Sequence, residues 1–117
     1  AVDAAALGEL FAEEIELESG DQRVRWKRDQ VIGLAAAVQR RAGGLTHNTY
    51  EHGARTEPGV AHSWMGVTTV SEDGFRVQSR WTLVWERDDQ GRWRVTRVRC
   101  DEMSDYAPDR PFWRMGW

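Results

Sequence analysis

Hydrophobic spacing divides the chain into two helices and a set of strands. From Ala4 to Glu14, Leu7, Leu10 and Phe11 recur at i, i+3 and i+4, with Asp3 placed to cap the start, which predicts a helix with a narrow buried stripe. At Ile15-Glu16-Leu17-Glu18 the period changes to two. Ser19-Gly20-Asp21 is turn chemistry, and Arg23-Val24-Arg25-Trp26 resumes the alternation, so a short hairpin is expected. A second helix is predicted from Asp29 to Arg41, with Val31, Leu34, Ala35 and Val38 on one face. Arg40 and Arg41 suit the negative end of its dipole, and Gly43-Gly44 stops it.

Beyond Gly44 no helical period survives. Leu45 to His52, Val60 to Val70, Phe75 to Arg87 and Arg92 to Met103 predict four long antiparallel strands, joined through Gly53 to Gly59, Ser71 to Gly74 and Asp88 to Gly91. The third strand alternates most clearly. Phe75, Val77, Ser79, Trp81, Leu83 and Trp85 share one face, which is the expected core face. The tail from Ser104, with Tyr106, Phe112, Trp113 and Trp117 among two prolines, is expected to be irregular and packed down.

At 117 residues the chain is one domain, 1–117. Sixteen Lys+Arg against nineteen Asp+Glu give a net charge of −3, which argues against a dedicated nucleic-acid or anionic-membrane partner. The single Cys100 closes no intrachain disulfide, and no Cys/His cluster has zinc-ligand spacing. Glu13, Glu14, Glu16 and Glu18 lack a converging His, so no metal is expected there. No stretch is long and apolar enough to span a membrane and no basic, apolar signal segment leads the chain, so the expected location is cytoplasmic. Seven Trp with a mean hydropathy of −0.68 change the picture most: a polar shell encloses an aromatic interior, as suits an α+β domain with a lined cavity.

The order helix, short hairpin, helix and four long strands, together with Leu10-Phe11-Ala12-Glu13-Glu14-Ile15-Glu16-Leu17-Glu18 and Gly91-Arg92-Trp93-Arg94-Val95, resembles the nuclear transport factor 2-like superfamily in its SnoaL-like polyketide cyclase branch. The resemblance covers most of residues 3 to 103. It implies a cone-shaped α+β barrel, a curved antiparallel sheet wrapped around helices, with a cavity between them and frequent dimerisation. Relatives in that superfamily include ketosteroid isomerases, dehydratases, epoxide hydrolases, polyketide cyclases and non-catalytic binding modules, so the fold alone selects no function. Two departures matter. The leading helix usual in the superfamily is absent or truncated, and Ser19 stands where the isomerases place a general-base Asp.

Candidate chemistry begins at the Asp88-Asp89-Gln90-Gly91 turn. A three-residue loop with Gly91 left-handed pairs Asp88 with Arg92, Glu86 with Arg94 and Trp85 with Val95. Continued without interruption, that register sets Trp81 opposite Arg99 and Ser79 opposite Asp101, and brings Asp101 and Arg99 onto the core face as a general base and its orienting cation. A second bulge near Thr96 would instead turn Val98 and Cys100 inward; both registers remain open here. His47 and His62, of the same strand parity as Thr49 and Trp64, are candidate acid/base partners for Asp101, and Tyr50 is a candidate donor to a substrate oxygen. Trp64, Ser79, Trp81 and Trp85 are the candidate ligand wall. These residues predict a small, mostly apolar ligand, handled either by a cofactor-free lyase, isomerase or hydrolase or by a non-catalytic binding or dimerisation module. Exposed aromatics on long strands predict a homodimer.

Overall fold

The computed structural model describes residues 3–41, 45–74, 76–103 and 111–114. The elements run α1 (Ala4–Leu10), β1 (Phe11–Ser19), β2 (Gln22–Lys27), α2 (Arg28–Arg41), β3 (Leu45–Glu57), β4 (Val60–Ser71), β5 (Arg76–Arg87), β6 (Trp93–Met103) and a short 3-10 turn, Phe112–Arg114. One open six-stranded sheet has the order β2-β1-β6-β5-β4-β3. It is mixed: β1 runs parallel to β6, while every other pairing is antiparallel. The alternation of β1 specifies its faces but carries no information on the direction of its neighbour.

Helix α1 starts as the sequence predicts, with the Asp3 carboxylate accepting from the Ala6 N–H at 3.1 Å. It ends at Leu10, four residues before the expected Glu14. Two cations from distant elements claim the carbonyls at its C-terminal end. Arg28 donates to the Gly8 and Ala12 carbonyls, and Arg94 donates to those of Gly8 and Glu9. Phe11 is then free to turn extended and pair with Val95. Helix α2 matches its expected span, and Gln30 reaches back to accept from the Lys27 N–H at 2.8 Å.

The first meander strand is longer than predicted: β3 continues to Glu57, and only Pro58-Gly59 turns, with Gly59 at φ +79°. A bulge between Tyr50 and Gly53 keeps the extended strand in register with β4. Phe75, Gly43, Gly44, Tyr106 and Trp117 lie outside the described residues.

The core forms where α2 and the 3-10 turn meet the β1–β6–β5 part of the sheet. Ile15, Leu17, Leu34, Val95, Val98, Cys100, Phe112 and Trp113 are buried, with Trp26, Trp81, Leu83 and Trp85 packed against them. Phe112 meets Trp81 edge to face at 4.9 Å and Trp113 at 5.2 Å, so the described part of the tail is packed down as expected. Removing the Phe112 ring leaves a cavity under Trp81, and Phe112→Ala should lower the unfolding free energy by about 3 kcal/mol. Urea unfolding measures this, and an unchanged midpoint would show that the ring contributes no packing.

Candidate functional site

The geometry of the site is decided along β5 and β6. Their turn forms as predicted: the Asp88 N–H donates to the Arg92 carbonyl at 2.8 Å, the Gly91 N–H donates to the Asp88 carbonyl at 3.0 Å, and Gly91 has φ +78°. The Asp88 carboxylate accepts from the Arg92 and Gln90 N–H groups and from Arg94. The Arg92 N–H first, then Arg94 and the Gln90 N–H, hold its carboxyl below the usual carboxylate range. Trp85 pairs with Val95 and Glu86 with Arg94, again as expected.

Past Val95 the uninterrupted register fails, and the bulged alternative is the one formed. Thr96 is an extra residue, its hydroxyl turned to the Val84 carbonyl at 3.4 Å, so that Val84 pairs with Arg97, Leu83 with Val98 and Thr82 with Arg99. Trp81 therefore faces Cys100 rather than Arg99. A second shift at Asp101 sets Ser79 opposite Met103. Val95, Val98 and Cys100 of β6 are thus buried in the core with Met103 packed against it, and Arg97, Arg99 and Asp101 turn outward.

Two faces result. On the core face, Trp81, Leu83 and Trp85 of β5 stand beside Met65, Ser63 and Ala61 of β4. The Trp81 indole N–H donates to Ser79 at 2.7 Å and that of Trp85 to Ser63 at 2.9 Å, which fixes both rings by their polar edges and leaves their flat surfaces apolar. Ser63 was not singled out by sequence reasoning. Its alternation with Met65, opposite Leu83, was the available signal, and its hydroxyl hydrogen has no acceptor among the described residues. His47 belongs to this face as well, at the outer end of β3, where its Nδ1 lies 2.9 Å from the Thr69 hydroxyl.

The other candidates lie on the outer face. Arg99 and Asp101 form an ion pair there at 2.9 Å, with Thr82 donating to the second carboxylate oxygen of Asp101 at 2.9 Å. Arg99 also binds Glu18 at 3.0 Å; Asp101 first, then Glu18, hold its guanidinium above the ordinary value. Glu18 is 6% exposed and is surrounded by Arg23, Arg97 and Arg99 within 3.7 Å. Its Oε1 faces Arg97 Nε at 3.2 Å without hydrogen-bonding geometry, so the charges of the neighbouring guanidinium groups offset its burial. His62 pairs across to Val84 and Arg55 on this same outer face. Tyr50 lies over Gly66, where an added Cβ would come within 2.4 Å of the ring, and Arg80 stacks above it at 5.9 Å. Trp64 lies flat on Gly53 and is 43% exposed. The structure thus brings together Ser79, Trp81 and Trp85, with His47 farther along the same face. It separates Asp101, Arg99, His62, Tyr50 and Trp64 from them by the thickness of the sheet. Ser19 ends β1 opposite Cys100.

No group of three or more His, Cys, Asp or Glu side chains able to hold a metal ion occurs among the described residues. No helix among them is long and apolar enough to cross a membrane.

No family model and no curated protein matches the chain. Solved structures do. A nuclear transport factor 2-like protein of unknown function from Pseudomonas putida KT2440 superposes with a TM-score of 0.72 at 13% identity, over 93% of this chain and 79% of that one. A candidate ketosteroid isomerase from Shewanella frigidimarina gives 0.69 at 20% identity, over 85% and 81%. A nuclear transport factor 2-like protein with a cystatin-like fold from Novosphingobium aromaticivorans gives 0.67 at 22% identity, over 90% and 72%. The chain therefore has the nuclear transport factor 2-like fold, in an open form of that cone.

Cys100 sits on the core face at 5% exposure, and burial, with Asp101 nearby, pushes its thiol up to about 11. Because the raised value favours the protonated thiol, its contribution to stability is present below the ordinary value of 9.0 and is lost as the pH rises through about 11. A disulfide-exchange reagent at pH 8 should leave Cys100 of the folded protein unmodified and react once urea is added; rapid reaction of the native thiol would contradict its inward placement.

Proposed function

We propose that the chain binds a small, mostly apolar molecule carrying one hydrogen-bond-accepting oxygen, and that it does so as a receptor rather than as an acid/base enzyme. The ligand lies on the core face against Trp81, Trp85, Leu83 and Met65. The Ser63 hydroxyl, oriented by the Trp85 indole N–H, donates to the ligand's oxygen. One observation carries this reading: the apolar wall with its two serines is on one face of the sheet, while Asp101, Arg99, His62 and Tyr50 are on the other. A carboxylate must come within hydrogen-bond reach of the proton that it abstracts, and Asp101 is engaged by Arg99 and Thr82 on the far side. Pockets of this kind are mainly apolar, with a few polar groups that set orientation.

A catalytic version, of the cofactor-free lyase or isomerase type, would run through His47. This is the candidate acid/base residue on the core face, and its contact with the Thr69 hydroxyl would set the tautomer.

Titration of small apolar ketones, lactones and epoxides, screened first by thermal shift, tests the proposal. Ser63→Ala should weaken binding of a carbonyl ligand about fivefold, as loss of one neutral hydrogen bond of about 1 kcal/mol requires. Asp101→Asn should leave binding unchanged. Turnover abolished by Asp101→Asn would overturn the receptor reading, and turnover abolished by His47→Gln would establish the catalytic one.

A further inference from the structure

The outer face carries a ring and a cavity that the receptor reading does not use. The ring is Trp64, 43% exposed. It lies flat on Gly53, where an added Cβ would come within 2.6 Å of the indole, so one surface rests on the sheet and the other is open. The neighbouring Tyr50 ring is already stacked, with Gly66 beneath it and Arg80 above it at 5.9 Å. The cavity is a depression of about 340 Å³ that starts at His62, two positions or about 7 Å along β4 from Trp64. Three carboxylates line it. Glu16 is paired with Arg97 at 3.4 Å and Glu14 with Arg25 at 3.8 Å, while Glu86 and His62 have no ion pair or hydrogen bond among the described residues.

We propose that Trp64 and this depression form a binding site for a neutral oligosaccharide of β-linked pyranoses whose hydroxyls are equatorial. Each face of such a sugar ring presents only C–H groups, polarised by the adjoining oxygens and attracted to the negative face of an indole. One unit stacks on the open surface of Trp64, and its equatorial hydroxyls then point along the sheet. The next unit enters the depression, whose volume is at the lower end for a small-ligand pocket. There the Glu86 carboxylate accepts from a hydroxyl, and the His62 imidazole donates to one or accepts from one.

The charge pattern favours a neutral sugar over a nucleic acid, whose bases would stack on the same indole. Three rows of the face, Tyr50–Gly66–Arg80, Gly53–Trp64–Thr82–Arg99 and Arg55–His62–Val84–Arg97, hold four guanidinium groups. Each is in an ion pair: Arg55 with Glu57 at 3.6 Å, Arg80 with Glu51 at 2.6 Å, Arg97 with Glu18 at 3.2 Å and Arg99 with Asp101 at 2.9 Å. Phosphates need uncompensated cations, and the charge left over in the depression is the carboxylate of Glu86. What remains uncommitted is an apolar plane, one acceptor and one imidazole, which is the set that a polyhydroxylated ring requires.

The proposed ligand wall is on the opposite face, so the two ideas fail separately. Calorimetric titration with cellohexaose, laminarihexaose and xylohexaose at millimolar concentration should show saturable binding of at least one. Trp64→Ala should weaken that binding about tenfold, for the loss of a stacked ring, and Glu86→Ala about fivefold, for the loss of a hydrogen bond. Both variants should keep the far-ultraviolet circular dichroism and the core-face ligand binding of the wild type. Absence of binding for all three sugars overturns the proposal, as does equal affinity in Trp64→Ala. Binding of oligothymidylate or spermidine in place of the sugars, lost in the same variants, overturns the sugar class and assigns the site to a nucleobase or an organic cation. Sedimentation of the same samples reads out a second copy as occupant: self-association lost in Trp64→Ala, with no sugar bound, overturns the proposal as well.

Discussion

Each bulge in β6 inserts a residue with no partner on β5, and every side chain beyond it changes face. With Thr96 in that position, Val98 and Cys100 enter the core and Arg97 and Arg99 leave it. The regular register would have buried two guanidinium groups and a carboxylate beneath Trp81 while exposing Val98 and Cys100 to water, a cost of several kcal/mol for each unpaired ion. The bulge avoids that cost. On the outer face Thr96 and Val84, the residues at this bulge, line a depression with His62, Glu86 and Arg97. The division of the molecule into an apolar core face and a charged outer face follows from this local irregularity.

A second constraint links the sheet to its first helix. Arg94 is tied at one side to Asp88 in the β5–β6 turn at 3.1 Å and at the other to the last carbonyls of α1. Arg28, the first residue of α2, holds the same helix end. The short helix thus ends where two cations meet its negative pole, and β1 is delivered in the direction that makes it parallel to β6. Once there, β1 supplies Glu16 and Glu18 to Arg97 and Arg99, partners eighty-one residues away that keep those arginines outside.

The sequence was legible where one residue type meets one local requirement. Gly91 after Asp88 specifies a left-handed turn residue, and the pairs Asp88–Arg92, Glu86–Arg94 and Trp85–Val95 follow; Asp3 marks a helix start for an equally local reason. The faces of β5 were readable because Trp81, Leu83 and Trp85 alternate without a break. What was not legible depended on distant partners. Both registers of β6 place apolar residues somewhere on the core face, and the choice between them rests on Glu16, Glu18 and the Val84 carbonyl, none of them adjacent in sequence. The placement of Asp101 and Arg99 turned with that choice. Trp64 reads as a wall residue and Tyr50 as a donor to a ligand oxygen, yet the glycines at 53 and 66 are what let their rings lie flat on the opposite face. Ser63 had only its strand parity with Met65 to mark it, and parity assigns a face but no hydrogen-bond partner.

The separation of the two faces depends on the β5–β6 register, which cross-strand nuclear Overhauser contacts between backbone protons report directly. The structure predicts contacts for Thr82 with Arg99 and for Leu83 with Val98. Contacts instead for Trp81 with Arg99 and for Ser79 with Asp101 would remove the bulges, return the charged pair to the core face, and contradict the separation of faces on which the functional reading rests.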